Sequence, residues 1–107
     1  MGKERLVVAS GRRRLLLDPG EIIFIEVMDH HVSIHCRTRL IKVRNSLNEI
    51  EKQLSRRGFC RIHRSFLVSL KYVYLCGRDC VLMNDGKDTV LPIGSRYRDA
   101  FAESLSL

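Results

Sequence analysis

The chain lacks any long apolar run. Its 107 residues are 45% hydrophobic and 29% charged, a length and composition typical of one globular domain. No apolar stretch approaches the roughly 18 residues that a membrane helix needs, and the N-terminus lacks the apolar core of a secretory signal peptide. These absences predict a single domain over residues 1–107 that works in the cytoplasm and makes no membrane contact.

Closely spaced cysteine pairs are also missing. Cys36, Cys60, Cys76 and Cys80 form no CxxC pair, and no histidine stands at a matching spacing, so we predict no zinc site. Cys76 and Cys80 flank a predicted turn that would let their sulfurs approach, but a cytoplasmic setting favours reduced thiols. Cys60 and Arg64 lack the longer, glycine-rich spacing of a phosphatase loop. We therefore predict no catalytic residue, metal or cofactor.

Acidic residues are absent from two stretches of a basic chain. Lys and Arg number 19 against 12 Asp and Glu, which gives a net charge of +7. Neither residues 30–48 nor residues 56–64 contain an acid, although each stretch holds four basic residues. Such one-sided segments suit a polyanion. They equally suit the solvated surface of a basic protein, so charge alone does not separate the two.

Short strand patterns dominate the chain. Runs rich in β-branched and aromatic residues are separated by turn residues such as Asp18-Pro19-Gly20 and Asn84-Asp85-Gly86, which is typical of a mostly β fold. Met28 to His31 would form a loop between two strands. Strands are predicted at residues 5–9, 12–17, 21–27, 32–36, 40–43, 67–75, 81–83 and 89–91.

Two short helices interrupt the strands. Ser46 and Glu49 have the spacing of a capping box, and Gly58 is suited to the left-handed stop of that helix. A second helix is predicted from Gly94-Ser95 onward. Neither helix has a basic outer face, which excludes a helix-turn-helix reader. Any nucleic-acid contact must therefore come from loops or strand ends.

Residues 59–68 are the most informative segment. Arg61, His63, Arg64 and Ser65 can all donate hydrogen bonds, and no carboxylate lies among them. A surface of donors suits an anion or a base edge, which indicates nucleic acid.

These residues carry a family resemblance over roughly residues 6–101. The chain resembles the LytTR DNA-binding domain, the output domain of bacterial two-component response regulators. The resemblance implies a compact, elongated β-sandwich of short antiparallel strands with one or two short helices, whose loops enter successive major grooves. The matching segments are Ile23-Phe24-Ile25-Glu26, Asn45-Ser46-Leu47, the Phe-x-Arg-Ile-His-Arg-Ser block at 59–65, and Leu91-Pro92-Ile93 followed by Tyr97.

Three places correspond to the family's base contacts. The loop after the 21–27 strand gives His30 and then His31. Arg64 occupies the base-reading position of the central block, where an arginine pairs with guanine O6 and N7. The turn before the last helix gives Ser95 or Arg96, and the register leaves open which of the two makes the contact.

Phosphate contacts are expected from the basic residues around these places. Lys42 and Arg44 equally fit plain surface charge, and His63 fits a hydrogen-bonded core position. His30 and His31 also fit ordinary surface residues or a weak metal pair. The expected phosphate contacts are Lys42, Arg44, Arg57 and His63.

Arg61 has a structural interpretation. It alternates with Ile62, so the two side chains should lie on opposite faces of a strand. Arg61 would then pair with a carboxylate such as Glu26.

Together these features predict sequence-specific binding of duplex DNA by a transcription regulator, without catalysis. The resemblance further implies direct repeats in promoters, a homodimer on DNA, and a receiver or sensor domain in a longer protein. The alternative is a small basic β module that binds single-stranded RNA. Such a module needs exposed aromatic rings for stacking, and Tyr72 and Tyr74 are the candidates.

Overall fold

The computed structural model describes residues 5–105 and consists mainly of short strands. Single turns of 3₁₀ helix lie at Pro19–Glu21, Leu70–Tyr72 and Ser95–Tyr97. The helices are α1 (Leu47–Gln53) and α2 (Arg98–Ser104), and the strands are β1 (Leu6–Ser10), β2 (Arg13–Leu17), β3 (Ile22–Met28), β4 (His31–Cys36), β5 (Leu40–Val43), β6 (Phe59–His63), β7 (Phe66–Ser69), β8 (Val73–Cys76), β9 (Cys80–Met83) and β10 (Val90–Pro92).

Three antiparallel sheets make up the fold. The central sheet has five strands in the order β5-β4-β3-β7-β6. The hairpin β1-β2 forms a second sheet, and β10-β9-β8 form the third. The predicted fold class, mostly β with short antiparallel strands and two short helices, is confirmed.

Both faces of the central sheet are buried. One face, with Ile25 and Ile34, packs against the β1-β2 hairpin and α1. The other, with Phe24 and Val68, packs against the third sheet and α2. Consecutive residues of β3 are therefore buried, and a register shift between Ile22 and Phe24 accommodates them. The two cores fix the central sheet rigidly, which matters for the turns at its ends.

Helix α1 begins as its sequence predicts. The Ser46 hydroxyl accepts a hydrogen bond from the Glu49 amide at 3.1 Å, and the Glu49 carboxylate accepts one from the Ser46 amide at 3.0 Å. Gly58 does adopt a left-handed φ of 82°, but the helix has already ended at Gln53, and Arg56 also has a positive φ of 65°.

The strand predicted at residues 67–75 is wrong as a single element. The chain leaves β7 at Ser69, makes a 3₁₀ turn and enters β8, which belongs to a different sheet. The Leu70 amide donates to the Gly58 carbonyl at 2.8 Å, which diverts the chain. Leu67, Val68 and Ser69 are all buried because β7 is covered on both faces, so no alternation marks the break.

Two other boundaries also shift. The 3₁₀ turn Ser95–Tyr97 precedes α2, which begins only at Arg98. The predicted loop from Met28 to His31 is a turn of two residues, Asp29 and His30, because His31 already pairs with Met28. Asp29 has a φ of 51°, a conformation that Asp tolerates better than most residues.

Candidate nucleic-acid interface

One end of the central sheet collects most of the predicted contact residues. Because neighbouring strands are antiparallel, the β3-β4 turn and the end of β5 lie together. The β6-β7 turn lies at this end too, since the Val27 amide donates to the Ser65 carbonyl at 3.0 Å. The sheet therefore presents His30, Arg44 and Arg64 in one direction.

The first concavity lies between the β3-β4 turn and the beginning of α1. Val27, Val32, Ser46, Leu47 and Arg61 contribute to its wall. The other lining residues, all polar or charged, are Asp29, His30, His31, Arg44, Asn45 and Asn48.

The second concavity lies between the β6-β7 turn and the turn before α2. The Gly94 amide donates to the Ile62 carbonyl at 2.8 Å, which holds the two turns together. A Cβ at Gly94 would lie 3.3 Å from Cδ2 of Tyr97 and 3.6 Å from Cδ2 of His63, so glycine permits this close approach. The lining residues are His63, Arg64, Gly94, Ser95, Arg96 and Tyr97.

His63 is oriented by its own turn. Its Nδ1 accepts a hydrogen bond from the Ser65 amide at 3.0 Å, and its ring packs against Phe66 at 5.4 Å between centroids. A neutral imidazole that accepts through Nδ1 carries its proton on Nε2. His63 therefore offers an N–H donor, which suits a phosphate oxygen.

Arg61 holds the two concavities together and is not a free donor. Its side chain is only 13% exposed and pairs with Glu51 at 2.7 Å. Nε donates to the His63 carbonyl at 2.9 Å, and Nη1 also donates to Asn48 Oδ1 at 3.0 Å. Nη2 donates to the Arg64 carbonyl. The guanidinium thus fixes the backbone on which Arg64 stands.

The predicted internal role of Arg61 is therefore present, but with a different partner. Glu26, the carboxylate suggested by sequence, instead contacts His35 Nε2 at 2.7 Å. The His35 ring stacks on Phe24 at 4.0 Å. Glu26 lies on the sheet face opposite to Arg61, because the cross-strand partner of Arg61 is Leu67 and that of Glu26 is Phe66.

The structure brings together most of the predicted contact residues. His30, Arg64, Ser95 and Arg96 are exposed, and so is His31. They divide between the two concavities, with Arg44 in the first and His63 in the second.

Two predicted phosphate contacts lie outside both concavities. Lys42 is exposed on β5, two residues before Arg44 and opposite Ser33. Arg57 is half-buried between α1 and β6. It precedes the beginning of β6, whereas Arg64 follows the end of that strand.

Sequence reasoning missed Asn45, Asn48 and Tyr97 as lining residues. Asn45 and Asn48 flank the capping serine, and they follow a basic strand whose end faces the site. In the sequence, the polar residues on both sides of this helix start are the feature that could have indicated a binding site. The ring centroid of Tyr97 lies 6.0 Å from Cζ of Arg61, a contact that the sequence does not reveal.

The electrostatics of the interface are one-sided. Asp29 is the only carboxylate among the residues lining the two concavities, against three arginines and three histidines at their surfaces. Glu51 neutralises the fourth arginine, Arg61, internally. The arrangement can accept an anion by hydrogen bonding and charge.

Two cysteine thiols with a shifted pKa lie outside the two concavities. Burial raises the pKa of the Cys36 and Cys60 thiols. Residues 5–105 contain no group of three or more His, Cys, Asp or Glu side chains placed to hold a metal ion. Within the same residues, none of the helices has the length and apolar character needed to cross a membrane.

The exposed aromatic rings do not line the interface. Tyr74 is 67% exposed but lies on β8, in the third sheet. Tyr72 is half-buried, and its hydroxyl donates to the Gly20 carbonyl at 3.3 Å. Neither tyrosine suggested by the sequence as a stacking platform therefore lies at the interface, where the tyrosine present is the half-buried Tyr97 of the second concavity.

The chain is similar to known proteins over most of its length. The chain is 32% identical over 72 residues to the sensory transduction protein LytT of Bacillus subtilis, covering 67% of this chain and 30% of that protein. It is 27% identical over 96 residues to LytT of Oceanobacillus iheyensis, covering 84% of this chain and 39% of that protein. The matched segments thus span about a third of the length of these relatives.

A solved structure shares the fold. The LytTr DNA-binding domain of a methyl-accepting/DNA response regulator from Bacillus cereus superposes with a TM-score of 0.78 at 19% identity, over 99% of this chain and 100% of that one. The sequence model of the LytTr DNA-binding domain matches residues 12–106. Since this match spans nearly the whole chain, the protein belongs to the LytTr DNA-binding domain family.

Proposed function

We propose that this DNA-binding domain reads specific duplex sequences with the turn residues of its two concavities. The observation that carries the proposal is the placement of Arg64. It is exposed at the end of a sheet that two cores make rigid, and its carbonyl is held by Arg61. An arginine fixed in this way can pair with the O6 and N7 atoms of guanine.

The width of the interface supports contacts at more than one place along the duplex. β4 and β6 are three strand positions apart in the central sheet, so His31 and His63 are separated by about 14 Å. The turn at Ser95 and Arg96 lies beyond β6. This span exceeds the roughly 12 Å width of a major groove, so the two concavities would contact the duplex at two places along one face.

The proposed base contacts and the proposed phosphate contacts come from different residues. Arg64, the histidines of the first concavity, and Ser95 or Arg96 would contact bases. The Nε2 N–H of His63, together with Arg44 and Lys42, would hold phosphates and set the register of the protein on DNA. Arg57 stands apart from this set, so we do not assign it a contact.

The biological setting follows from the family and its longer relatives. We infer a transcription regulator of a two-component system, acting in the cytoplasm on direct repeats, with a receiver or sensor domain elsewhere in the full protein. Two copies would occupy the two repeats as a dimer.

The test is selection of duplexes from a random pool, followed by binding of Arg64→Ala to the selected site and to a scrambled site. The variant should lose about 1–3 kcal/mol on the selected site and much less on the scrambled one. Arg37→Ala is the matched control, because Arg37 is exposed in the turn after β4, at the opposite end of the central sheet.

Two outcomes would contradict the proposal. Equal losses by Arg64→Ala on both duplexes would make Arg64 a phosphate contact and not a reader of sequence. Competition by single-stranded RNA at concentrations below those of the selected duplex would favour the RNA-binding alternative.

A further inference from the structure

The β1-β2 hairpin carries a concentrated positive charge that the proposed reading of bases does not use. Residues 5–17 contain four arginines and no acid. Arg12, Arg13 and Arg14 are consecutive and exposed. Within residues 5–105, the structure records no ion pair or hydrogen bond for these three side chains. No carboxylate among residues 5–105 therefore pairs with these arginines to offset their mutual repulsion.

The hairpin is firmly attached to the elements that form the first concavity. The Gln53 side chain accepts from the Val7 amide and donates to the Val7 carbonyl, both at 2.9 Å. Asn45 Oδ1 accepts from the Ala9 amide at 2.7 Å. Leu6 and Val8 are each 1% exposed beneath the hairpin. The arginines therefore stand on a fixed support and not on a loose arm.

These contacts also give the direction in which the hairpin points. Val7 lies beside Gln53, the last residue of α1, whereas Ala9 lies beside Asn45, just before the beginning of that helix. β1 thus runs toward the first concavity, whose wall includes Asn45. Ser10 pairs with Arg13, so Gly11 and Arg12 form the tip of the hairpin, up to about 7 Å beyond Ala9 at 3.3 Å per residue. The tip therefore projects past the edge of the concavity.

The three arginines are distributed around the tip. Arg13 has the same strand parity as Leu15, which packs on the core, so Arg13 is directed toward the body of the protein. Arg14 has the opposite parity and faces outward beside Ala9. Gly11, with a φ of 62°, and Arg12 form the two-residue turn that joins β1 to β2. Each guanidinium can pair with a phosphate through two parallel hydrogen bonds, and arginines on different sides of the tip can reach separate phosphates.

We propose that Arg12, Arg13 and Arg14 form a second anion-binding site that holds the phosphate backbone of DNA beside the first concavity. The inference rests on the proposed DNA-binding function and extends its footprint. The hairpin supplies affinity without sequence information, because phosphate contacts are the same for every base pair.

The experiment measures how binding depends on salt. A triple variant, Arg12→Gln, Arg13→Gln and Arg14→Gln, is compared with the wild type on a mixed-sequence duplex of about 20 base pairs, by fluorescence anisotropy. Each lost phosphate contact lessens the slope of log K against log salt by about 0.9. The slope of the variant should therefore be less steep by about 2–3.

A control variant separates local contact from overall charge. Arg37→Gln, Arg39→Gln and Lys87→Gln remove the same charge from exposed turns at the ends of the sheets away from the interface. This control should change the slope by less than about 0.5. Equal changes in the two triple variants, or an unchanged slope in the hairpin variant, would overturn the inference.

Two further measurements distinguish this inference from the base-reading proposal and from a lipid partner. The hairpin variant should select the same consensus from a random pool as the wild type. If the wild type selects no consensus, base reading fails, while the slope comparison still decides the role of the hairpin. Binding to phosphatidylserine vesicles that depends on the hairpin, with an unchanged slope on DNA, would assign the arginines to a lipid surface and overturn the inference.

Discussion

Arg61→Met should destabilise the protein more than any single surface change. The substitution leaves Glu51 without its partner and removes the donors to Asn48 and to the carbonyls of His63 and Arg64. Breaking a buried ion pair costs about 3–5 kcal/mol. Glu51 is 43% exposed, so water screens part of that loss. We expect a decrease of about 2–4 kcal/mol in the free energy of unfolding.

Urea unfolding followed by circular dichroism measures this decrease, and a thermal scan should show Tm lower by roughly 10–25 °C. Lys52→Met is the matched control, because Lys52 is exposed on the same helix and should change stability by at most about 0.5 kcal/mol. Arg61→Lys keeps the charge but cannot reproduce the planar fork of donors. Its stability should fall between those of the wild type and Arg61→Met.

A small effect would refute the reasoning. If Arg61→Met lowers the free energy of unfolding by less than about 1 kcal/mol, the guanidinium does not organise the β6-β7 turn. The lysine variant adds a functional measurement. With the turn loosened, its preference for a selected duplex over a scrambled one should fall even where the protein is fully folded.

Two further predictions concern local stabilising groups. Ser46→Ala should lower the free energy of unfolding by about 1 kcal/mol by removing the helix cap; an unchanged urea midpoint would contradict this. Partial burial raises the pKa of Asp85, but hydrogen bonds from the Thr89 hydroxyl and from the Lys87 and Thr89 amides outweigh it and lower the pKa overall. Asp85 therefore stabilises the fold above the ordinary pKa of about 3.9, and this contribution is lost as the pH falls through the lowered pKa. The urea midpoints of the wild type and Asp85→Asn should differ at pH 7 and converge as the pH falls through the lowered pKa; a constant difference would contradict the assignment.

The local features of the fold could be predicted because neighbouring residues determine them. The capping box at Ser46 needs only Glu49, three residues later. The β1-β2 hairpin follows from Gly11 between two strand-forming runs. The break after Ser69 could not be predicted, because it depends on a hydrogen bond to Gly58 and on burial of both faces of β7.

The same distinction applies to the interface. The resemblance in residues 59–65 selected Arg64 and His63 directly from sequence. The partner of Arg61 could not be identified in this way, because Asn48 and Glu51 meet it only after α1 packs on the central sheet. Strand parity correctly separated Arg61 from Ile62, but it gave no information about which helix lies above each face.

The amide of Gln53 has a consequence for the behaviour of the protein in concentrated solution. The exposed edge of a strand can form backbone hydrogen bonds with another polypeptide, and such pairing leads to aggregation. By both accepting from and donating to Val7, this side chain imitates the neighbouring strand that β1 does not have on that side. Asn45 likewise accepts a hydrogen bond from the Ala9 amide. Two side-chain amides thus guard a two-stranded sheet against fibrous self-association.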